Sequence, residues 1–334
     1  MLTAPDLIHL PYTPDLSESG CAYACRWLTS RHEYERDYSA AYMRQIAGQV
    51  SIELAFRRYL TEQGAPFDVL GLHPFTSPER YNVALGGHRC DVVSTLITRR
   101  KQITELREEA GKLLQVPALV PIDEYAAEGQ KPEDLYVFAF LQGLETAGWR
   151  ELHKALGAGQ PAYLIHTLPG QWARPKKWVP LEGLALKSDC DEPIQIEIGG
   201  QDGEHHFMTA TLDLPPRQRR EVEKDFYSLA YLHALTHPEA RIGVHCPRCA
   251  DPILIRSHEW DNLWFYGMGI ILAGWLTHDE FRRKAGMLTT GKRTFLYNAT
   301  PGKMLALPVK ELNPLAGLLE KVKAWDAEKI HRQQ

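Results

Sequence analysis

A group of polar side chains lies on a β-hairpin that the sequence predicts around Gly86-Gly87. Two β-rich runs flank this pair, and both central residues of a type I′ turn need a positive φ, which glycine adopts without strain. The resulting register places Leu85 opposite His88 and Asn82 opposite Asp91. Because directly opposed Cβ atoms lie about 4.5–5.5 Å apart, Asn82 and Asp91 are predicted to be close enough to share one metal ion.

The elements around this hairpin are predicted from hydrophobic spacing. Side chains alternate between the two faces of a strand. The more apolar face, expected to be core, carries Val83, Leu85, Cys90 and Val92. The other face carries Arg80, Asn82, Ala84, Arg89, Asp91 and Val93. A long helix over about residues 39–63, ending at Gly64, precedes the hairpin and carries Glu53, and a strand is expected over residues 135–141.

A long helix with one acid, a hairpin with a second acid and a downstream strand together resemble the PD-(D/E)xK, or restriction-endonuclease-like, family over about residues 40–145. The resemblance implies a mixed α/β sheet flanked by helices. The pattern of the remaining sequence adds β-rich and helical segments in the C-terminal half. The resemblance also implies Mg²⁺ held by Glu53 and Asp91, because this hard cation prefers oxygen ligands and polarises a phosphate. Two positions depart from the family pattern: Asn82 stands where the first acid is expected, and Val93 where the lysine is expected.

Three cations are candidates to replace the missing lysine: Arg80, Arg89 and Lys101. Each would steady the phosphate or the attacking water, with Asn82 assisting the two metal-binding acids. The run Arg99, Arg100 and Lys101 is the predicted contact to nucleic-acid phosphates, because it directly follows the candidate site. The alternative for Glu53 and Asp91 is a structural one, as solvated or salt-bridged surface carboxylates.

A second constellation is the C-x₂-C pair of Cys246 and Cys249, with His245 before it and His258 nine residues after it. Thiolates at this spacing bind Zn²⁺ from one tight turn, and structural zinc takes four N or S ligands. The sequence therefore indicates a candidate zinc knuckle. Two ordinary reduced thiols in a turn are the alternative.

Bulk properties narrow the class of protein. The chain has 334 residues and a net charge of −4, so nucleic-acid binding has to come from local basic patches. Six cysteines are too few for a disulfide scaffold. No signal peptide is visible at the N-terminus, and the apolar run 263–276 is shorter than the roughly 20 residues of a membrane span. We expect a cytoplasmic protein without a membrane partner.

The domain division is expected near residue 170. Residues 1–170 are predicted to form the nuclease-like core, and residues 171–334 an α+β region with the candidate zinc knuckle. In that region, residues 217–237 have helical character, and Thr277 with Glu280 has the capping-box pattern that starts a helix.

These patterns lead to a functional hypothesis with alternatives. The first is a Mg²⁺-dependent DNA endonuclease, of the kind the family uses in restriction, phage defence or mobile-element maintenance. The second is a catalytically degenerate nuclease-fold subunit that binds DNA or scaffolds a larger complex, which accounts better for Asn82 and Val93. The third is an interaction protein that contacts no nucleic acid, in line with the mildly acidic charge.

Overall fold

The computed structural model describes residues 1–30, 39–69, 83–125, 130–146, 148–249, 251–296, 300 and 302–333. Its helices α1 to α8 are Pro14–Ser30, Ala40–Glu62, Arg100–Glu108, Ile122–Tyr125, Trp149–Gly157, Gly170–Ala173, His278–Lys284 and Leu315–Gln333. Its strands β1 to β18 are Ile8–Pro11, Asp68–Val69, Val83–Leu85, His88–Ile97, Pro117–Pro121, Leu135–Glu145, Leu164–Thr167, Ala185–Ser188, Ile194–Gln201, Phe207–Leu214, Arg219–Glu221, Ser228–Ala234, Ile242–His245, Ile253–Ile255, Asp261–Asn262, Phe265–Thr277, Gly286–Leu288 and Met304–Pro308.

The main sheet is mixed, with the strand order β1-β16-β6-β4-β3-β2. Strands β4 and β6 are parallel, and the other neighbours are antiparallel. The first nine residues of β6 are all buried, as expected for a strand covered on both faces. Helices α2 and α8 cover one face, and α3, α7 and the three-stranded sheet β17-β18-β5 cover the other. The expected mixed α/β class is confirmed.

The hairpin β3–β4 has the predicted register. Leu85 pairs with His88, and Val83 pairs with Cys90. Gly86 and Gly87 have φ values of 57° and 86°, as the type I′ turn requires. A Cβ on Gly86 would lie 2.7 Å from the Cβ of Trp325, so glycine also lets α8 pack closely on the turn.

Helices α1 and α2 form a layer between the main sheet and a second sheet. Ile52 and Phe56 of α2 pack on the main sheet, whereas Met43 of α2 and Cys25 of α1 pack against Tyr231 of the second sheet. The helix start predicted at residue 39 is confirmed by Ser39, whose hydroxyl accepts a hydrogen bond from the Tyr42 N–H at 3.3 Å.

A β-rich segment occupies the chain between β6 and β16. It holds the second sheet, β10-β9-β12-β7-β15, and a four-stranded sheet, β11-β8-β13-β14, which share one hydrophobic core. β16 then returns to the main sheet and pairs with β6, from Thr277 opposite Leu135 to Phe265 opposite Glu145. The β-rich segment therefore begins after residue 145 and ends before residue 265, and no division lies near residue 170, because the long-range pairing of β16 with β6 brings the last fifth of the chain back to the first core.

Two expectations for the C-terminal half have opposite outcomes. Residues 217–237 are not helical as expected, since they contain β11 and β12 and β12 pairs with β7 and β9. The capping box is confirmed, because the Glu280 N–H donates to the Thr277 hydroxyl at 3.1 Å at the start of α7. No helix among the described residues combines the length and apolar character needed to cross a membrane.

Candidate functional site

Glu53 lies on α2, with its side chain 18% exposed. Its carboxylate forms an ion pair with Arg57, one helical turn further on. Burial raises the pKa of Glu53, and the Arg57 charge opposes that shift. The Glu53 charge also contributes to raising the pKa of Tyr23 on α1, after the larger effect of burial.

Asp91 lies on the other side of the main sheet. Its strand neighbours Cys90 and Val92 pack on the same face as the core of α2. Because side chains alternate along a strand, the Asp91 side chain points to the opposite face. Its partner on β6, Tyr136, belongs to the core on that opposite face. The predicted juxtaposition of Glu53 and Asp91 is therefore not formed, and these two carboxylates do not fit one Mg²⁺ ion.

The reason for this separation is the hairpin's own pattern. Helix α2 covers the hairpin face that carries the buried Val83, Leu85, Cys90 and Val92, and Asp91 lies on the other face. Val93, at the position of the family lysine, is 8% exposed and packs into the core on the Asp91 side. Arg89 shares that face by strand alternation. Asn82 and Arg80 lie outside the described residues.

The three basic residues after β4 stand apart from Asp91. Six residues separate Asp91 from the end of β4 at Ile97, which corresponds to about 20 Å at the usual rise of a strand. Arg99, Arg100 and Lys101 are exposed, and Lys101 pairs with Glu105 at 3.9 Å. Lys101 is therefore not placed to serve a site at Asp91. We call Arg99, Arg100 and Lys101 the basic edge.

The basic edge lies at the start of α3. Arg99 is the N-cap residue and makes no side-chain capping hydrogen bond, and the first turn contains no acidic residue. The parallel strands β4 and β6 both end at this edge of the sheet. In open α/β sheets this carboxyl edge is where ligands usually bind.

The two thiols of the candidate zinc knuckle share one turn. The Cys249 N–H donates to the Cys246 carbonyl at 3.0 Å. Burial, and then the neighbouring Cys246, raise the pKa of Cys249 to about 12. His245 and His258 are both exposed, and His245 alternates in direction with the buried Cys246. Within the described ranges, no group of three or more His, Cys, Asp or Glu side chains is arranged to hold a metal ion.

Comparison with protein-family models finds no match for the chain, and no significant match is found among curated proteins or among solved structures. The resemblance to PD-(D/E)xK nucleases therefore stays a prediction. The geometry of the chain itself has to support a function.

A cleft between α1 and the second sheet was not predicted. Its volume is about 340 Å³, and its lining combines one cation, one carboxylate and several aromatic rings. We call it the tyrosine cleft; it is lined by Ser19, Ala22, Tyr23, Arg26, Tyr163, Glu197, Phe207, Thr209 and Tyr231. These residues come from α1, from Tyr163 just before β7, and from strands up to about 210 residues later. No local pattern in the sequence connects them.

Proposed function

We propose that the chain is a nuclease-fold protein that binds DNA through the basic edge and does not cleave it with the predicted pair of acids. Along the chain, helix α2 is followed by hairpin β3–β4 and then by β6, which joins the same sheet parallel to β4. This order supports a restriction-endonuclease-like core. The separation of Glu53 from Asp91 favours the degenerate form of that fold over an active endonuclease.

The observation that carries DNA binding is the charge distribution of α3. The positive end of the helix dipole lies at its N-terminus, yet Arg100 and Lys101 begin the helix; in the last turn Arg107 offsets Glu108. Each charge placed this way costs about 0.3–1 kcal/mol of helix stability. Local rules of stability are typically broken where a protein needs the residues for function. A bound phosphate would be attracted both by Arg100 and Lys101 and by the positive end of the helix dipole, so it would offset their mutual repulsion.

The surroundings also suit a phosphate backbone. Amide N–H groups at a helix start bind anions, and three exposed basic residues occupy this helix start. The total charge of −4 does not attract DNA over long distances, so binding is expected to be local and sensitive to salt. Restriction, phage defence and mobile-element maintenance remain the proposed settings, with a larger protein complex as the proposed partner.

The test is binding of a fluorescent DNA duplex at several salt concentrations. In wild type, the affinity should fall steeply as salt rises. The triple variant Arg99→Gln, Arg100→Gln and Lys101→Gln should reduce the slope of log affinity against log salt by up to about 3, since each phosphate contact contributes about 0.9. The matched control changes exposed cations elsewhere, Lys176→Gln, Lys177→Gln and Arg220→Gln, and should leave the slope unchanged.

A cleavage assay separates this proposal from the endonuclease hypothesis. Plasmid DNA incubated with the chain and Mg²⁺ or Mn²⁺ should stay supercoiled. Cleavage that disappears in Asp91→Ala would restore the endonuclease hypothesis. Absence of salt-sensitive DNA binding in wild type would refute the proposed DNA binding. It would favour the hypothesis of an interaction protein that contacts no nucleic acid.

A further inference from the structure

The tyrosine cleft has a charged group held at its base. Glu197 lies on β9, whose neighbouring residues Ile196 and Ile198 face the core on the other side of the sheet. The Glu197 carboxylate therefore faces α1, and it accepts a hydrogen bond from the Tyr231 hydroxyl at 3.1 Å. This bond fixes the direction of the carboxylate within the cleft.

Gly199 makes the position of Tyr231 possible. A Cβ on Gly199 would lie 2.0 Å from a carbon of the Tyr231 ring, which no real side chain tolerates. The ring therefore lies flat across the backbone of β9, and its hydroxyl reaches Glu197 two residues away. The tyrosine and the carboxylate form a preorganised pair.

A charge of opposite sign lies at the exposed side of the cleft. Arg26 of α1 is exposed, and its guanidinium lies 5.2 Å from the centre of the Phe207 ring. Burial is the largest of the causes that raise the pKa of Tyr231; the Glu197 charge is a smaller one, and the Arg26 charge lowers this pKa. Both charges therefore act on the same hydroxyl from within one small cleft.

The remaining walls are aromatic and rigid. Tyr163 stacks on His233 with ring centres 3.9 Å apart, and Cys25 contacts the Tyr163 hydroxyl at 3.8 Å. Aromatic faces attract an ammonium group and also accept an apolar side chain. The volume of about 340 Å³ lies at the small end of the roughly 300–1,000 Å³ range of small-molecule sites.

We propose that the tyrosine cleft binds a free α-amino acid with an apolar or aromatic side chain. The ligand's ammonium group meets Glu197 and the tyrosine rings, and its carboxylate meets Arg26. A ligand with only one charge would pair with only one of these two protein charges. This site lies on the second sheet, and its ligand is independent of DNA binding at the basic edge.

Isothermal titration calorimetry of the full chain tests the charge requirement directly. The probes are L-phenylalanine, phenethylamine, which lacks the carboxylate, and 3-phenylpropionate, which lacks the amine. L-phenylalanine should bind, and each single-charge probe should bind at least tenfold more weakly. Absence of L-phenylalanine binding, or equal binding of phenethylamine, would overturn the proposal.

Two variants test the assigned residues. Glu197→Gln keeps an oxygen that accepts the Tyr231 hydroxyl, and Arg26→Gln changes an exposed position, so both should fold. Each should weaken L-phenylalanine binding at least tenfold, whereas the controls Glu192→Gln and Arg256→Gln, on exposed residues outside the cleft, should not change it. Unchanged affinity in Glu197→Gln, with a wild-type circular dichroism spectrum, would refute the assignment.

Discussion

The Arg44 guanidinium donates a hydrogen bond to the Glu145 carboxylate at 3.0 Å, and a second one to the Asn262 carbonyl at 2.9 Å. Arg44 belongs to α2, Glu145 ends β6, and Asn262 lies in β15 of the second sheet. The Asn262 side chain continues the network, with donated bonds to Thr146 and Tyr266 at 3.0 and 2.9 Å. One buried cation therefore joins the helix layer to both sheets at the point where the chain enters the β-rich segment.

Replacing Arg44 should destabilise the chain strongly. Arg44→Met fills the space but leaves Glu145 and the Asn262 carbonyl without their donor, which should cost about 2–3 kcal/mol. The control is Arg58→Met on the same helix, which removes an exposed ion pair with Asp15 and should cost less than about 1 kcal/mol. Urea denaturation measures both, and equal losses would contradict a joining role for Arg44.

Gly199→Ala should destabilise the second sheet. The added Cβ meets the Tyr231 ring at 2.0 Å, so the ring or the strand has to move, at a cost of about 1–3 kcal/mol. Gly243→Ala is the matched control, because a Cβ there meets its nearest atom at 3.5 Å, and it should change stability by less than about 0.5 kcal/mol. Thermal melting followed by circular dichroism compares the two variants. A Gly199→Ala variant as stable as wild type would show that Tyr231 is not held as described.

His233 should make the chain less stable in mild acid. Burial lowers the pKa of His233, although its hydrogen bond to the Leu164 carbonyl and the Glu197 charge oppose the shift. The folded chain keeps this imidazole neutral, whereas the unfolded chain binds a proton below about pH 6.5. The stability that His233 contributes is therefore present above about pH 6.5 and is lost as the pH falls through the lowered pKa of the folded state.

The corresponding measurement is urea denaturation at pH 7.5 and at pH 5. His233→Phe keeps a ring that stacks on Tyr163 and removes the titrating group, so its loss of stability at pH 5 should be smaller than that of wild type. His258→Phe changes an exposed histidine and should keep the wild-type loss. The same pH dependence in wild type and His233→Phe would refute the prediction.

If the candidate zinc knuckle binds zinc, the zinc content of the purified chain should depend on Cys246. The two thiols share one turn, and burial raises the pKa of Cys249, whose thiolate form a divalent cation would favour. Cys246→Ser should lower the zinc content of the purified chain to that of the buffer, whereas Cys90→Ala, at a buried thiol of the main sheet, should retain it. Equal zinc content in wild type and Cys246→Ser would refute the candidate zinc knuckle.

The elements predicted correctly from sequence depend on contacts within a few residues. The Gly86-Gly87 turn needs two positive φ angles, and its register follows from the turn alone. The starts of α2 and α7 follow from Ser39 and Thr277, each of which accepts a hydrogen bond from a backbone N–H three residues later. These interactions form between residues close in the sequence, so they do not depend on how the rest of the chain packs.

The positions of the candidate site residues depend on contacts between segments that are distant in the sequence. Ser228–Ala234 contains good helix-forming residues, but pairing with β7 and β9 makes it a strand, since a buried ladder outweighs intrinsic propensity. Glu53 and Asp91 are separated because α2 covers the apolar face of the hairpin. The sequence by itself therefore determined turns, caps and the alternation of faces, and only the tertiary structure decided which faces meet, because burial of apolar surface depends on what each face finds to pack against.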